Sequence, residues 1–226
     1  MSDKHIIIAI DGPVGAGKSS VARAVAKALG ILYLDTGAMY RAFALYTLQM
    51  QVDARSEPSV TALLPNVQVD VVLGEDGQRT ILNGVDVSTW IRTEQVSMAA
   101  SAVSRYQAVR EQMVSWQRAL ACRMSMVVDG RDIGTVVLPD ADLKVFLTAE
   151  PEIRARRRYD ELLAKGVQAD YDAVLADLKQ RDHQDMTRPV SPLRPAQDSR
   201  MLDSSHLDFS QVVDTITQWV KELRHE

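Results

Sequence analysis

An α/β fold on a parallel sheet is what this 226-residue sequence predicts, and three observations predict it. An apolar run leads straight into a glycine-rich loop and then into an amphipathic segment. Further short β-branched runs alternate with helical segments along most of the chain. One stretch, about 56–91, breaks that alternation with hairpin texture. A hydrophobic content of 46% is enough for a sizeable interior, and nothing forces a second independent domain.

Residues 5–10 read as a buried strand, and residues 20–29 as a helix that stops at Gly30. A second strand follows at 31–34, then a second helix at 38–50 carrying Tyr40, Phe43 and Leu48. In the odd stretch, Val67, Val69, Val71 and Leu73 alternate with mostly polar neighbours. Gly74, Glu75, Asp76 and Gly77 turn the chain into Thr80, Ile81 and Leu82, and Asn83 with Gly84 offers a second tight turn before Val85. Antiparallel hairpins are foreign to a parallel core, so this is expected to be an inserted subdomain beside the main sheet, with Trp90 and Ile91 helping to pack it. Helical texture resumes over 94–120 with a break near 104–106. Strands are expected at 124–128, 143–147 and 200–202, and helices at 152–164 and 171–181. In the last helix Phe209, Val212, Val213, Ile216, Trp219, Val220 and Leu223 form one apolar stripe, a core-facing pattern. Asp208 and Gln211 have capping-box spacing, with Asp replacing the usual hydroxyl. Pro189, Pro192 and Pro195 exclude helix from 188–195. That stretch reads as a turn returning a mobile arm to the sheet, although a PxxP ligand would look similar.

Charge and composition narrow the function. Twenty-six basic residues against 30 acidic ones, a net of −4, argue against a general nucleic-acid binder but leave room for a small concave basic site. Cys122 is the only cysteine, so neither an intramolecular disulfide nor an all-cysteine metal site is possible, and four histidines without a Cys/His cluster give no structural zinc. The apolar run ending at Asp11 is far short of the ~20 residues that span a bilayer and has no cleavage region behind it. A cytoplasmic protein without a membrane segment is expected.

Gly12, Pro13, Val14, Gly15, Ala16, Gly17, Lys18 and Ser19 satisfy the pattern GxxxxGK[ST], between a strand and a helix opened by Ser20, the context that validates it. Glycines let successive backbone N–H groups wrap phosphate oxygens at a helix N-terminus whose dipole favours negative charge. Lys18 would reach the β- and γ-phosphates and Ser19 would offer its hydroxyl to Mg²⁺. The apolar run 124–128 ends at Asp129, where enzymes with such loops place a carboxylate near the metal. The sequence therefore predicts binding of a nucleoside triphosphate with Mg²⁺.

Basic residues address the phosphate acceptor. Arg41 sits in the second helix, Arg131 follows Asp129, and Arg154, Arg156, Arg157 and Arg158 crowd one helix. Arg181 and Asp185, four apart, share a helical face with Arg188 near its end. They read either as a surface ion pair or as an arm closing over a nucleotide, with Asp185 accepting from a ribose hydroxyl. No Asn-Lys-x-Asp segment marks a guanine-specific GTPase, and the chain is short for a motor or transporter ATPase. A small-molecule kinase with a mobile lid remains.

With these residues assembled, the sequence resembles the bacterial cytidylate kinases of the nucleoside monophosphate kinase family, over essentially the whole chain. The resemblance is carried by Ile10 to Ser19, Leu34 to Arg41, Asp129 to Thr135, Arg154 to Arg158, and Arg181 to Asp185 with Arg188. It implies a P-loop kinase domain over 1–226 with a five-stranded parallel core of order 2-3-1-4-5. It also implies a nucleoside-monophosphate region at 35–105 enlarged by a small antiparallel sheet, and a lid with flanking arm at 154–188. The implied activity is direct transfer of the γ-phosphoryl group of ATP to CMP or dCMP, in a monomer. Carried over by motif, Arg41 and Arg131 are similar to residues that clamp the acceptor phosphate. Ser101, Arg110, Asp132 and Arg188 resemble the cytosine-side contacts, and Arg181 and Asp185 those at the ribose. Arg157 and Arg158 fall where a lid supplies charge to the transferring group. Thr36 stands where some relatives carry serine, and either supplies a hydroxyl. A pocket in which Asp accepts from cytosine N4 would reject UMP, whose acceptor at that position would leave a buried polar group unpaired. Two rivals stay open: a kinase that also accepts UMP or another nucleoside monophosphate, and a non-catalytic protein that uses ATP as a switch.

Overall fold

A computed structural model describes residues 5–74 and 77–225; Glu75 and Asp76, the tip of the expected turn after Gly74, lie outside the described residues. In chain order the elements are β1 (Ile7–Asp11), α1 (Lys18–Leu29), β2 (Leu32–Asp35), α2 (Thr36–Gln49), α3 (Glu57–Thr61), β3 (Val69–Gly74), β4 (Gly77–Leu82), β5 (Val85–Asp86), α4 (Glu94–Val103), α5 (Gln107–Ala121), β6 (Met126–Gly130), β7 (Leu143–Thr148), α6 (Pro151–Ala164), α7 (Tyr171–Thr187), β8 (Arg200–Asp203) and α8 (Phe209–His225). The parallel sheet has the order β2-β6-β1-β7-β8, and a separate antiparallel sheet the order β3-β4-β5. In terms of the parallel strands alone the order is 2-3-1-4-5. The chain divides into two compact units, Leu32–Ser125 in one and Ile6–Ile31 with Met126–Glu226 in the other.

In the second of these, β1 is the central strand. It pairs in parallel with β6, setting Ile10 beside Asp129 and Asp11 beside Gly130, and with β7 on its other side; β8 extends the sheet beyond β7. Ile8, Ala9, Ile10, Val127, Val128 and Leu147 are wholly enclosed, as expected of strands covered on both faces. Helix α1 ends at Gly30 in the left-handed conformation, whose N–H returns to the carbonyls of Ala26 and Lys27. The capping box of α8 is reciprocal: Gln211 N–H donates to Asp208 Oδ1 at 2.8 Å, while Asp208 N–H donates to the Gln211 side chain at 2.9 Å. Val212, Ile216 and Val220 carry the buried stripe, and Phe209 at its head is exposed.

In the unit Leu32–Ser125, α2 packs on α4 and on the antiparallel sheet. Asp35 caps α2 and Thr93 caps α4, each accepting from a first-turn N–H. Asn83 and Gly84 both have positive φ, 48° and 84°, which makes the two-residue link between β4 and β5 a primed turn, as the Asn-Gly pair predicted. Val67, Val69 and Val71 point inward as their alternation required. Trp90 departs from expectation. Ile91 is buried, but Trp90 is 54% exposed, because the two adjoining residues of the short 3-10 turn Trp90–Arg92 project in different directions and only one can face the interior. Helix α7 runs to Thr187, further than its apolar pattern suggested, because polar residues at its end are held by ion pairs. Among the described residues, no helix is long and apolar enough to cross a membrane.

Fully enclosed Ile216 fixes α8, so Ile216→Ala is expected to lower the unfolding free energy by about 2–5 kcal/mol, whereas exposed Asp214→Ala stays within about 0.5. Urea titration of both variants measures the difference.

Candidate active site

The phosphate loop is shaped by what lies behind it. At Gly12, φ is +153°, and a Cβ would stand 1.9 Å from the Leu147 carbonyl oxygen of β7, so no side chain fits between loop and sheet. Gly17, also left-handed, begins α1 as its N-cap. Lys18 is buried and donates from Nζ to the Pro13 carbonyl at 2.7 Å, which folds its side chain back over the loop. Burial pushes its ammonium down to about 7. Arg131 pushes the same way, against Asp129, Asp11 and Asp185. A bound anion would supply the countercharge this lysine lacks.

Ser19 donates from Oγ to Asp129 Oδ2 at 2.8 Å, as follows from the register that sets the end of β6 beside the end of β1. A hydroxyl and a carboxylate so close form a hard-oxygen pair of the kind that binds Mg²⁺ together with phosphate and water ligands. Among the described residues, no group of three or more His, Cys, Asp or Glu side chains is arranged to hold a metal on its own. A cavity of about 720 Å³ opens in front of the loop. Gly15, Gly17, Lys18, Ser19, Ser20, Arg131, Arg158 and Arg181 line it, and Leu162, Ala173, Val174 and Leu178 from α6 and α7 supply an apolar side. Four of these residues, Lys18, Arg131, Arg158 and Arg181, are basic, which suits a polyphosphate attached to a flat apolar group.

The other expected residues fall into distinct groups. Arg131 donates to Asp185 at 2.7 Å, and Arg188 lies 3.5 Å from Asp132 and 4.0 Å from Asp185, so these four form one ionic network at the ends of β6 and α7. Arg188 is held further by its Nε, which donates to the Ser191 carbonyl at 2.6 Å. Arg181 does not pair with Asp185; it turns to exposed Asp177 at 3.0 Å on the cavity wall. Of the crowded arginines on α6, Arg158 pairs with Glu161. Arg157 donates to the Ser204 carbonyl at 2.6 Å, and Arg156 stacks over Tyr171. In the unit Leu32–Ser125, buried Thr36 opens α2 and Arg41 pairs with Asp35 at 2.9 Å. Arg110 is buried with its guanidinium 5.9 Å from the Tyr40 ring centroid, and Ser101 is exposed on α4.

Three residues with evident work near the loop escaped the sequence reading. Asp11, 5% exposed, accepts from the backbone N–H of Ile133 at 2.8 Å and of Gly134 at 2.7 Å. It thereby fixes the π-turn Ile133–Val137 that follows Arg131 and Asp132. Its signal was present, since it is a strand-end carboxylate just as Asp129 is. Arg154 was visible only as one of a cluster. It is 3% exposed and donates to the carbonyls of Ala149 at 2.8 Å and Val14 at 2.7 Å while pairing with Asp182 at 2.7 Å; Asp182 in turn accepts from Val14 N–H at 3.2 Å. Both polar backbone groups of Val14 are thus held by a buried ion pair between α6 and α7.

A family model for cytidylate kinase matches residues 8–222. The cytidylate kinase of Mycolicibacterium paratuberculosis is 50% identical over 218 residues, 96% of each chain, and that of Bacillus subtilis is 42% identical over 220 residues, 97% of this chain and 98% of the other. The chain belongs to the cytidylate kinase family. Among solved structures, an uncharacterized protein from Eubacterium ventriosum aligns with a TM-score of 0.53 over 96% of this chain and 99% of its own; at 14% identity this likeness speaks to the fold alone. The sequence of a cytidylate kinase family member thus meets, in this chain, a glycine loop whose lysine is buried and short of countercharge.

Two expectations follow from the buried charges. Burial pushes the Asp11 carboxyl up from 3.8 to about 6, against its two N–H donors, and Asp132 adds to the rise. The folded state therefore binds this proton more tightly than the unfolded chain does. The stabilisation it gives is complete below about pH 4 and is lost as pH rises through about 6. Asp11→Asn cannot titrate, so its unfolding free energy is expected to fall less than the wild type's between those values, by up to about 3 kcal/mol, in denaturant titrations across pH. Arg154→Met leaves Asp182 buried without its partner and should cost about 3 kcal/mol or more, whereas the double change with Asp182→Leu should cost less; thermal or urea unfolding of the two variants compares them.

Proposed function

We propose that this chain is a CMP and dCMP kinase that transfers the γ-phosphoryl group of ATP directly to the acceptor, yielding CDP or dCDP. The observation that carries the proposal is the buried Lys18 in its glycine loop, facing a cavity lined by Arg131, Arg158 and Arg181. Membership of the cytidylate kinase family, with relatives named cytidylate kinase that match nearly end to end, supplies the acceptor.

In this reading residues 12–20 cradle the triphosphate, and Lys18 meets the β- and γ-phosphates, recovering its full charge as it does so. Mg²⁺ held by Ser19 and Asp129 would neutralise charge on the phosphate oxygens. Arg41 and Arg131 hold the acceptor phosphate, with the hydroxyl of Thr36 nearby. Ser101, Arg110, Asp132 and Arg188 read cytosine, and Arg181 and Asp185 reach the ribose. For Arg131 and Asp185 this means exchanging their mutual ion pair for contacts with nucleotide. Arg157 and Arg158 act on the transferring group when a lid over 154–188 closes, which requires Arg157 to leave Ser204. The acceptor nucleophile is already a phosphate oxygen, so positioning and charge neutralisation carry the reaction and no strong general base is needed. We assign the chain as one kinase domain, residues 1–226, with a nucleoside-monophosphate region at 35–105 and its insertion at about 56–91. It acts as a cytoplasmic monomer without nucleic-acid or membrane partners.

Lys18→Ala is expected to fold and to lose turnover by about 10²-fold or more, as for other groups that stabilise charge developing in a transition state. Coupled assay of ADP release with purified protein measures it, and near-normal turnover by the folded variant would reject the reading. With wild-type protein, kcat/KM for UMP is expected to be at least about 10²-fold below that for CMP. Equal rates would reject the cytosine-selective pocket, and absence of CDP formation would leave only a nucleotide-gated switch.

A further inference from the structure

The antiparallel sheet contributes to the unit Leu32–Ser125 a side chain whose contacts are unlike those of its neighbours. Gln78, on β4, accepts from the Asp35 backbone N–H at 2.6 Å and donates from Nε2 toward the Asp35 backbone carbonyl at 3.3 Å. In a β-strand the N–H and C=O of one residue point to the same side, and a primary amide offers an acceptor and a donor at a matching spacing. Gln78 thus imitates one residue of an adjoining strand at Asp35. That residue ends β2, the outermost strand of the parallel sheet in its order.

Asp35 is fully engaged beyond its backbone. Its Oδ1 accepts from Ala38 N–H at 2.9 Å and so caps α2, while its Oδ2 pairs with Arg41 at 2.9 Å. A Cβ at Gly37 would come within 3.1 Å of both Arg41 Nη1 and Asp35 Oδ1, so the guanidinium lies folded close against this turn. The Asp35–Arg41 pair is partly open to solvent, with side-chain exposures of 24% and 28%, and such a pair holds a long side chain only weakly by itself. Its orientation is set through Asp35, and the side chain that meets both polar groups of the Asp35 backbone, Gln78, belongs to the inserted sheet.

We propose that Gln78 is a positioning residue for acceptor-phosphate recognition, clamping Asp35 so that Arg41 is pre-ordered for the nucleoside monophosphate. The inference rests on the reading of Arg41 as an acceptor-phosphate contact. It gives the inserted sheet a role in acceptor binding that does not require any of its residues to touch the substrate. Ordering Arg41 before binding removes that entropic cost from the binding step, so the effect belongs in acceptor affinity and not in the chemical step.

The test measures Kd for CMP by calorimetry, with steady-state kcat and KM for both nucleotides, on Gln78→Ala, Gln78→Glu, Arg41→Ala and the double variant Gln78→Ala/Arg41→Ala. Gln78→Ala is expected to weaken CMP binding about tenfold, the scale of two neutral hydrogen bonds, with kcat within about twofold and KM for ATP unchanged. Gln78→Glu keeps the acceptor facing Asp35 N–H but loses the donor, so it should fall between wild type and Gln78→Ala; it also serves should the alanine variant fail to fold. In the Arg41→Ala background, loss of Gln78 should change CMP affinity no further. Unchanged CMP affinity in both Gln78 variants, equal losses toward ATP, or additivity with Arg41→Ala would overturn the inference while leaving the proposed activity intact. If Arg41→Ala itself leaves CMP affinity unchanged, the reading of Arg41 fails, and this inference with it.

Discussion

The geometry of the phosphate loop depends on a steric constraint at the end of β1. The chain leaves the central strand with its backbone pressed against the Leu147 carbonyl, so closely that a Cβ at Gly12 would overlap it. No side chain can separate the loop from β7 there, and on the other side of β1 the parallel register puts Asp129 beside Ile10. Ser19, at the start of α1, then meets Asp129 at 2.8 Å. A residue with any side chain at position 12 would have to move the sheet or the loop.

Around that constraint the protein buries charges in two different ways. Asp11 and Arg154 are engaged by fixed partners: two backbone N–H groups for the first, two carbonyls and a carboxylate for the second. These partners are the backbone at Ile133 and Gly134 for Asp11, and for Arg154 the backbone at Ala149 and at Val14 of the loop, with Asp182 of the facing helix. Lys18 is buried with one carbonyl as its hydrogen-bond acceptor, and its ammonium is pushed down because burial and Arg131 outweigh the nearby carboxylates. An enclosed lysine short of negative charge is destabilising in the empty protein and becomes favourable when phosphate arrives. The charges of Asp11 and Arg154 are thus tied to the backbone around the loop, while that of Lys18 is held by one carbonyl of the loop itself.

How much of this was legible in the sequence depends on the distance over which each feature is decided. The glycine loop, the Asn83–Gly84 turn and the Asp208–Gln211 box are settled by residues next to one another, and all three have the expected form. The parallel sheet was readable because buried strands show as apolar runs. The clamp on Val14 was not, since it joins residues 14, 154 and 182, and nothing local distinguishes Arg154 from Arg156, Arg157 or Arg158. Only the packing of α6 and α7 decides that the first is enclosed while Arg156 lies over Tyr171 and Arg158 meets Glu161. Trp90 failed for a related reason: an aromatic residue beside an isoleucine suggests a shared interior, but a tight turn can face inward with only one of them.

The same hairpin of α6 and α7 shows where a lid could yield. At its base the Arg154–Asp182 pair is buried and hydrogen-bonded to the phosphate loop, so separating it there would expose uncompensated charge. Further along, the ion pairs of Arg158 with Glu161, Lys165 with Glu161 and Arg181 with Asp177 are open to water and lie within single helices, and their rearrangement costs little. The lid proposed over 154–188 would therefore bend beyond its first turn and not swing as a rigid block from the sheet. In the proposed motion the phosphate loop would keep its shape, because the buried pair that defines it would not break, while Arg158 and Arg181, which line the cavity, would exchange carboxylate partners for phosphate. Rigidity at the base and weak pairing beyond it are two consequences of one difference in exposure.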